Sequence, residues 1–469
     1  MIVTTMTEKT RVFTREEIEG AWKSGGKMML IFEDKVYDVT SWAPRHPGGQ
    51  LVIRHMIGRD ATDQIRVNHN DDVVQKMKPF CVGRIEPDGV TVGRPLSLAF
   101  RRLHEEFKQK GFYKTDYSFY VKYYLRFLSL MVIGVLIYCN YGSSFIGCTI
   151  AALFMGLFWQ QMAFVGHDTG HNGITHDRKT DSLVGIVLGN LLGGISIGWW
   201  KGSHNVHHLM TNDPEHDSDI QHLPVFAVTD RFFHSIYSTF LDRTLDFDMF
   251  AKIMIPIQHI TYYPVMMFGR FNLYLQSFFY LYKHDTYLRK LEIAALALFW
   301  CWFITLVCQV EDVKMRLWFV LLSHATTFIL HVQITLSHFS MSTEPMGERE
   351  EFVRYQLRTT LDVDCPEWLD WFHGGLQFQL AHHLFPRMPR HNLRRARDRI
   401  VQFCDQHGLQ YNIKTFTQGN MHVLTHLKKI ADQWKFMAMV AQKNFELEME
   451  HAEQCNKHHR GPGSHQHSE

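Results

Sequence analysis

The cysteines of this chain lack the spacing of a disulfide framework or of a zinc ribbon. Eight cysteines are scattered over 469 residues, and no two of them stand in a C-x-x-C arrangement. Such usage is expected of a protein whose thiols stay reduced. Net charge is also nearly absent, because 49 basic residues are balanced by 47 acidic ones. A nucleic-acid partner is therefore not expected.

The chain also lacks an early apolar run, so no cleavable signal peptide is predicted and the N-terminal part is expected to stay cytosolic. Charge, by contrast, is missing from long internal stretches. Residues 127–166 form 40 consecutive positions without a charge. A helix of that length runs about 60 Å, roughly two crossings of a ~30 Å hydrocarbon core. The polar break at 140–144 predicts the turn of a membrane-spanning helical hairpin.

A second hairpin is predicted from residues 293–310 and 317–337, which are apolar and are separated by a polar turn. His324, His331 and His338 recur every seven residues in its second helix, so they share a helix face.

Three histidine clusters accompany these apolar stretches. They read His167-Asp-Thr-Gly-His171, His204-Asn-Val-His207-His208 and Gln379-Leu-Ala-His382-His383. Residues four apart on a helix project from one face, as expected for the first cluster. Neutral imidazole suits iron, zinc and copper alike. Because seven histidines exceed what one ion normally takes from a protein, the clusters predict a site for two metal ions.

His338 is an eighth candidate ligand, because it falls at the cytosolic end of its helix, level with the clusters. His324 and His331 would lie deeper, where a histidine hydrogen-bonded within the helix bundle is expected. Gln379 is a candidate catalytic residue, although its amide is a weak ligand and holding a water or shaping the pocket are its alternative roles. His176, close to the first cluster, is interpreted as a residue that supports the ligands.

Two further sets of residues have a structural and a functional interpretation. Five acidic residues are candidates to orient ligand imidazoles, with a solvated acidic loop as the alternative: Asp168, Asp213, Glu215, Asp217 and Asp219. Four tryptophans either wall an acyl tunnel or sit at the membrane interface: Trp199, Trp200, Trp368 and Trp371.

Two more apolar stretches are interrupted. Residues 182–200 contain five glycines, and residues 253–269 are broken by two prolines. If the three clusters share one pocket, an even number of crossings must separate them, so both stretches are interpreted as interfacial or re-entrant. Four crossings remain. Arg126 and Arg289 place the start of each hairpin on the cytosolic side.

The N-terminal 11–86 segment is predicted to be a small mixed domain. A capping box at Thr14–Glu17 opens a helix, and residues 29–32 and 35–39 form short strands. His46-Pro-Gly-Gly follows, and His69 stands 23 residues after His46. Two imidazoles on opposite faces of a heme fill both axial positions, and such an iron passes single electrons.

The order of the three clusters, the glutamine that opens the third, and His46-Pro-Gly-Gly49 resemble a cytochrome b5-fusion front-end desaturase. The strings 198–208 and 362–375 are most similar to the sphingolipid (long-chain base) Δ8-desaturase branch. Ala381 departs from the glutamate common before the paired histidines of the third cluster. The resemblance implies heme b held by His46 and His69, and two iron ions in the histidine clusters.

The resemblance also implies the reaction and its partners. It predicts an oxygen-dependent enzyme that introduces a C8–C9 double bond into the long-chain base of sphingolipids or ceramides, with NADH-cytochrome b5 reductase as the electron source. The endoplasmic reticulum membrane, with both termini cytosolic, is the expected location. The alternatives are a front-end polyunsaturated fatty-acyl desaturase (Δ5, Δ6 or Δ8), a b5-fused lipid hydroxylase, and a membrane heme protein that delivers electrons to partners.

The predicted fold is therefore multi-domain. A small α+β cytochrome b5-like heme domain at 11–86 precedes a linker at 87–110. An all-α membrane desaturase domain with four transmembrane helices and a cytosolic histidine-box cap covers 111–435. The C-terminal tail, 436–469, is predicted to be partly disordered.

Overall fold

The N-terminal domain is a four-stranded sheet with short helices. In the computed structural model, which describes residues 11–87 and 95–459, the sheet order is β1-β4-β3-β2, with β1 parallel to β4 and the other pairs antiparallel. The strands are β1 (Val12–Phe13), β2 (Met29–Phe32), β3 (Lys35–Asp38) and β4 (Cys81–Ile85). The helices are α1 (Arg15–Gly25), α2 (Gln50–Arg54), α3 (Thr62–Asn68) and α4 (Asp71–Gln75).

The predicted start of this domain is confirmed. The Thr14 side chain accepts from the backbone N–H of Glu17, and the Glu17 carboxylate accepts from the backbone N–H of Thr14, which together form a capping box. The two predicted strands pair as a hairpin around Glu33 and Asp34.

The rest of the chain is mainly helical. Its helices are α5 (Pro95–Gln109), α6 (Tyr117–Tyr141), α7 (Phe145–Gly170), α8 (Arg178–Gly185), α9 (Ile197–Leu209), α10 (Met249–Met254), α11 (Gln258–Met266), α12 (Gly269–Lys283), α13 (Arg289–Val307), α14 (Val313–Thr326), α15 (Phe328–Thr335), α16 (Phe352–Thr359), α17 (Asp370–His373), α18 (Gln379–Leu384), α19 (Leu393–Gln406) and α20 (Phe416–His459). Two small sheets pair β5 (Ile236–Ser238) with β6 (Arg243–Leu245) and β7 (Asp362–Asp364) with β8 (Ile413–Thr415).

Both predicted membrane hairpins are present. Four helical segments among the described residues are long and apolar enough to cross a membrane, namely α6, α7, α13 and the α14–α15 pair, with lengths of 19–26 residues. The turn of the first hairpin falls at 142–144, as predicted. α6 begins at Tyr117, ten residues before the charge-free stretch, so Arg126 lies within the helix and stacks over Tyr123. Leu125 and Leu136 of α6 and Leu298 of α13 are exposed, as expected of lipid-facing positions.

The two interrupted apolar stretches do not form straight spans. Residues 178–192 and 197–209 are two helical segments bent by 114° at the glycine-containing break between them. The bend fits the re-entrant interpretation, although the pair taken as one unit also has the length of a broken span. Residues 253–269 are divided among α10, a short 3-10 turn and α11, and none of these has the length of a span.

The predicted linker at 87–110 is wrong over most of its length. Residues 95–109 form α5, whose Leu96, Phe100, Leu103 and Phe107 are buried in a shared core with α16 and α19. Their i, i+4, i+7 and i+11 spacing is that of an amphipathic helix, a signal hidden by the nearby glycines and prolines. Residues 88–94 lie outside the described residues.

The predicted boundary at 435 is also wrong. α20 runs without a break from Phe416 to His459, because Val423, Leu427 and Ala431 bury one stripe of it and good helix formers follow. The remainder of the predicted disordered tail, 460–469, lies outside the described residues.

The four-crossing topology can be tested with glycosylation acceptors. We expect an acceptor in an extended loop inserted at 142–144, or at 308–312, to be modified, because the predicted topology places both loops on the side away from the cytosol. An acceptor placed at Asp285, which is 93% exposed before the second hairpin, should remain unmodified. Gel mobility before and after deglycosylation measures this, and modification at Asp285 would contradict the topology.

Candidate metal and heme sites

Three helices and the end of a fourth bring the histidine clusters together. The first cluster ends α7, the second lies along α9, the third lies on α18, and His338 follows α15. His171, His207, His208, His338, His382 and His383 are buried. The structure thus collects all seven histidines of the clusters, together with His338, in one interior region on one side of the hairpins.

A first group of four imidazoles is arranged as for one metal ion. One ring nitrogen each from His167, His171, His204 and His382 lies within 4.8 Å of the others. The rings of His167 and His171 are centred 4.4 and 4.7 Å from that of His382. Because the first cluster ends α7 while the third lies on α18, these ligands come from distant parts of the sequence.

A second group lies beside the first. His207, His338 and His383 also place ring nitrogens within 4.8 Å of one another, and their ring centroids are 4.7–4.9 Å apart. His208 stands between the groups, with its Nε2 3.2 Å from Nε2 of His204 and 3.0 Å from Nε2 of His382. The eight histidines therefore form two adjacent groups.

In each ring of the second group, Nδ1 already has a hydrogen-bond partner. His207 Nδ1 lies 2.8 Å from Asp217 Oδ2, His338 Nδ1 lies 3.2 Å from the Thr359 carbonyl, and His383 Nδ1 lies 3.0 Å from Gln356 Oε1. A proton on Nδ1, donated to these oxygens, fixes the tautomer in which Nε2 is the free electron-pair donor. Sequence reasoning missed Gln356, whose only signal is a polar residue on the buried face of α16.

Several buried nitrogens in this region have no hydrogen-bond partner among the described residues. They include His171 Nε2, His338 Nε2 and His383 Nε2. Burial, and then the neighbouring His207, keeps the pKa of His338 and of His383 well below the usual value. Both rings are therefore neutral, which is the form that binds metals. An unsatisfied buried polar atom costs about 1–3 kcal/mol, and a bound metal ion would remove that cost.

The five acidic residues have different roles. Asp217 is fully buried and contacts His207 directly, while Asp219 Oδ2 lies 3.5 Å from His204 Nδ1. Asp168 is 3.6 Å from His167 and accepts a 2.8 Å hydrogen bond from the Tyr120 hydroxyl. The other two, Asp213 and Glu215, accept hydrogen bonds within their own loop or from Arg231.

Replacing Asp217 by alanine is expected to reduce metal affinity or activity roughly 10–100-fold, the usual cost of losing the partner of a ligand histidine. Metal content of the purified chain and product formation both measure this. Asp246→Ala is the matched control, because it removes an exposed carboxylate that, within the described part of the chain, accepts a hydrogen bond from Ser235 alone. Equal effects of the two changes would contradict an orienting role for Asp217.

A small cavity lies against the first histidine group. His167, His382 and Gln379 line it together with apolar side chains that include Phe164 and Leu376. The Gln379 amide makes no hydrogen bond within the described part of the chain and faces this space, so the pocket-shaping role predicted for it fits its position. The cavity therefore places apolar side chains beside the candidate ligands.

The remaining predicted histidines lie outside the two histidine groups. His324 is hydrogen-bonded to Val320 and Tyr274, and His331 to the Met266 carbonyl, inside the helix bundle. His176 bonds the Tyr113 carbonyl instead of a candidate ligand, so its predicted supporting role is not seen.

The tryptophans divide between the two interpretations. Trp200 stacks on His204 with ring centroids 4.4 Å apart and also faces His167 at 5.4 Å. Trp368 is 71% exposed and Trp371 is 41% exposed, the latter near Arg126. Only Trp200 of these three is therefore a wall of the histidine site.

The N-terminal domain holds a second candidate metal site. The rings of His46 and His69 are centred 6.0 Å apart, which leaves room for one metal ion between them. Each Nδ1 lies near a backbone carbonyl, of Gly49 at 3.1 Å and of Ile65 at 3.0 Å, so each Nε2 is available as a ligand. Burial, followed by His69, lowers the pKa of His46 to about 4, so the ring is neutral. The pair fits the two axial positions of a heme.

Comparison with known proteins agrees with both sites. Residues 14–86 match the family described as cytochrome b5-like heme/steroid binding domain, and residues 143–415 match fatty acid desaturase. A Delta 8-(E)-sphingolipid desaturase of Emericella nidulans is 39% identical, over 92% of this chain and 96% of that relative. One of Komagataella phaffii is 38% identical, over 90% and 94%. Delta(8)-fatty-acid desaturase 1 of Arabidopsis thaliana is 38% identical, over 93% and 97%.

Proposed function

This chain belongs to the membrane fatty acid desaturases that carry a fused cytochrome b5-like heme domain, and we propose that it desaturates the long-chain base of sphingolipids between C8 and C9. The predicted fold class is confirmed by the two family matches and the four apolar helices. The presence of a heme domain and a histidine-rich metal site follows from the same findings. The carbon position, the substrate class and the number of iron ions are proposals.

The two adjacent histidine groups are the observation that carries the proposal. We propose that they hold two iron ions, one with His167, His171, His204 and His382, and the other with His207, His338 and His383, with His208 between them. When bound, such iron supplies oxygen chemistry that removes two hydrogens from neighbouring methylenes. The overall reaction consumes O2, two electrons and two protons, and it yields an alkene and two waters.

The side chains of the protein position the lipid and keep water out. Phe164, Leu376 and Leu393 line the cavity with apolar surface, and His167 and His382 also line it. We propose that the hydrocarbon chain of the substrate contacts these apolar side chains and so lies beside the first histidine group. Trp200 covers the outer side of His204 and His167, which excludes solvent from the ligand rings.

The relatives support a long-chain base as the substrate. The six fungal ones are all described as Delta 8-(E)-sphingolipid desaturases, whereas two plant relatives of similar identity are described as Delta(8)-fatty-acid desaturases. We propose the sphingolipid substrate for this chain and a polyunsaturated fatty-acyl chain as the second candidate. We also propose NADH-cytochrome b5 reductase as the electron source, and the endoplasmic reticulum membrane, with both termini cytosolic, as the location.

Lipid profiling of a yeast host that makes no Δ8-unsaturated bases tests the substrate. Cells expressing the chain should accumulate long-chain bases with a double bond at C8, and cells expressing His382→Ala should not. Feeding polyunsaturated fatty acids to the same cells tests the second candidate, a fatty-acyl substrate. New fatty-acyl double bonds with unchanged long-chain bases would contradict the sphingolipid proposal, and a hydroxylated base would indicate a hydroxylase.

A further inference from the structure

α9 carries two different faces on opposite sides. His204, His207 and His208 follow i, i+3 and i+4 spacing and face the metal site, while Val206, Leu209 and Met210 repeat the same spacing two residues later. Two residues turn a helix by about 200°, so the second set points away from the first. A helix that is the wall of a metal site on one face therefore has an apolar stripe on the other.

The N-terminal domain covers this apolar stripe. Val206, Leu209 and Met210 are buried in one core with Val52, Ile53 and Met56, which lie in and just after α2. Apolar burial of this kind is the main driving force of association between protein surfaces. The stretch from His204 to Met210 is thus packed between the heme domain and the metal site.

A polar contact fixes how the heme-ligand loop meets α9. Asn205 Nδ2 donates to the Gly48 carbonyl at 3.3 Å. A Cβ on Gly48 would lie 3.0 Å from Cε1 of His46 and 3.6 Å from Nδ2 of Asn205. Gly48 therefore lies between the ring of a heme-ligand histidine and the residue next to His204, and its lack of a side chain permits the close approach.

Contacts further from the His46–Gly49 loop hold the heme domain in the same orientation against the rest of the protein. Arg59 Nη1 donates to the carbonyls of Met346 and Gly347 at 3.2 and 3.1 Å. The rings of His55 and His216 are centred 4.3 Å apart. These contacts use residues of the domain outside the His46–Gly49 loop, so the domain is held at more than one point.

We propose that the outer face of α9 is the surface on which the heme domain docks to deliver electrons, and that Asn205 positions the His46–Gly49 loop against the metal-ligand helix. A bonded connection on this face runs from the His46 backbone through Gly48 and one hydrogen bond to Asn205, the neighbour of His204. This inference rests on the proposed function. Asn205 is a positioning residue, because it contacts neither the substrate nor a metal.

The test uses the full-length, heme- and iron-loaded protein and follows heme absorbance after mixing the reduced protein with O2 and a ceramide. Asn205→Asp keeps the size of the side chain but loses the N–H donor and places a carboxylate against the Gly48 carbonyl. We expect it to slow the substrate-dependent reoxidation of the heme at least about tenfold, the effect of one lost contact with an unsatisfied carbonyl. The rate of heme reoxidation without ceramide is subtracted, because it reports direct oxidation of the heme by O2.

The heme spectrum and the iron content should not change, because neither depends on the docked contact. A purely structural defect would alter the heme or the iron. Asn140→Asp is the matched control, because Asn140 lies near the C-terminal end of α6 and its side chain bonds only the Leu136 carbonyl among the described residues. This variant should leave reoxidation at the wild-type rate.

Two results separate the inference from the proposed function. A wild-type protein whose reoxidation ignores every ceramide and fatty-acyl substrate contradicts the proposed function. A wild-type protein with substrate-dependent reoxidation, together with an Asn205→Asp variant that reoxidises equally fast, overturns the docking role of Asn205 alone.

Discussion

His338→Ala is expected to lower desaturation more than about a hundredfold, beyond the 10–100-fold cost of losing only the partner of a ligand. His338 lies outside the three clusters, yet its ring is packed between His207 and His383, and its Nε2 has no hydrogen-bond partner among the described residues. Loss of this ring leaves the second group with two of its three imidazoles. Iron content relative to heme should fall in parallel with activity.

The matched control for this prediction is His324→Ala. His324 lies on the same membrane hairpin, two heptads earlier, but its ring nitrogens are taken by Val320 and Tyr274. We expect this variant to keep its iron and to lose some stability of the helix bundle. Full iron and near-normal activity in His338→Ala would remove His338 from the ligand set.

Replacing His46 or His69 by alanine is expected to abolish the low-spin heme spectrum and nearly all turnover, because each ring supplies one of the two axial positions. The histidine groups of the membrane domain should keep their metal, since the rings in those groups come from other helices. Absorption spectra, iron content and product formation are measured on the same preparation. The host should lack free cytochrome b5, so that no other donor replaces the fused domain.

His407→Ala serves as the control here, because that ring is exposed at the end of α19. It should leave both the heme spectrum and turnover unchanged. Normal turnover in His46→Ala in the same host would show that the fused domain is dispensable, and it would also contradict the docking surface on α9.

The local patterns of the sequence were sufficient for much of this architecture. Charge-free runs of the right length predicted both hairpins, and the polar break at 140–144 placed the first turn correctly. Depth along the predicted helix also separated His338, which joins the second histidine group, from His324 and His331 inside the bundle. These predictions worked because helix periodicity and hydrocarbon thickness act on neighbouring residues.

The features that the sequence did not predict depend on contacts between distant residues or have only weak local signals. The division of eight histidines into two groups depends on how α7, α9, α15 and α18 meet, which no local spacing encodes. Gln356 orients His383 from a helix without any recognisable motif. The apolar stripe at 206, 209 and 210 has helical spacing, but the residues that cover it belong to another domain, which local spacing does not reveal.

The packing of Gly48 on Asn205 also limits which proteins can meet the heme domain at one time. While the His46–Gly49 loop rests on α9, that side of the domain is closed to other molecules. One heme carries one electron, whereas each double bond needs two from outside. A reductase that uses the same side can reduce the heme only after the heme domain has dissociated from α9. Each double bond then requires the heme domain to dissociate and to dock again twice. Tighter docking would lengthen the wait for the second electron, and the best affinity between the domains is therefore an intermediate one.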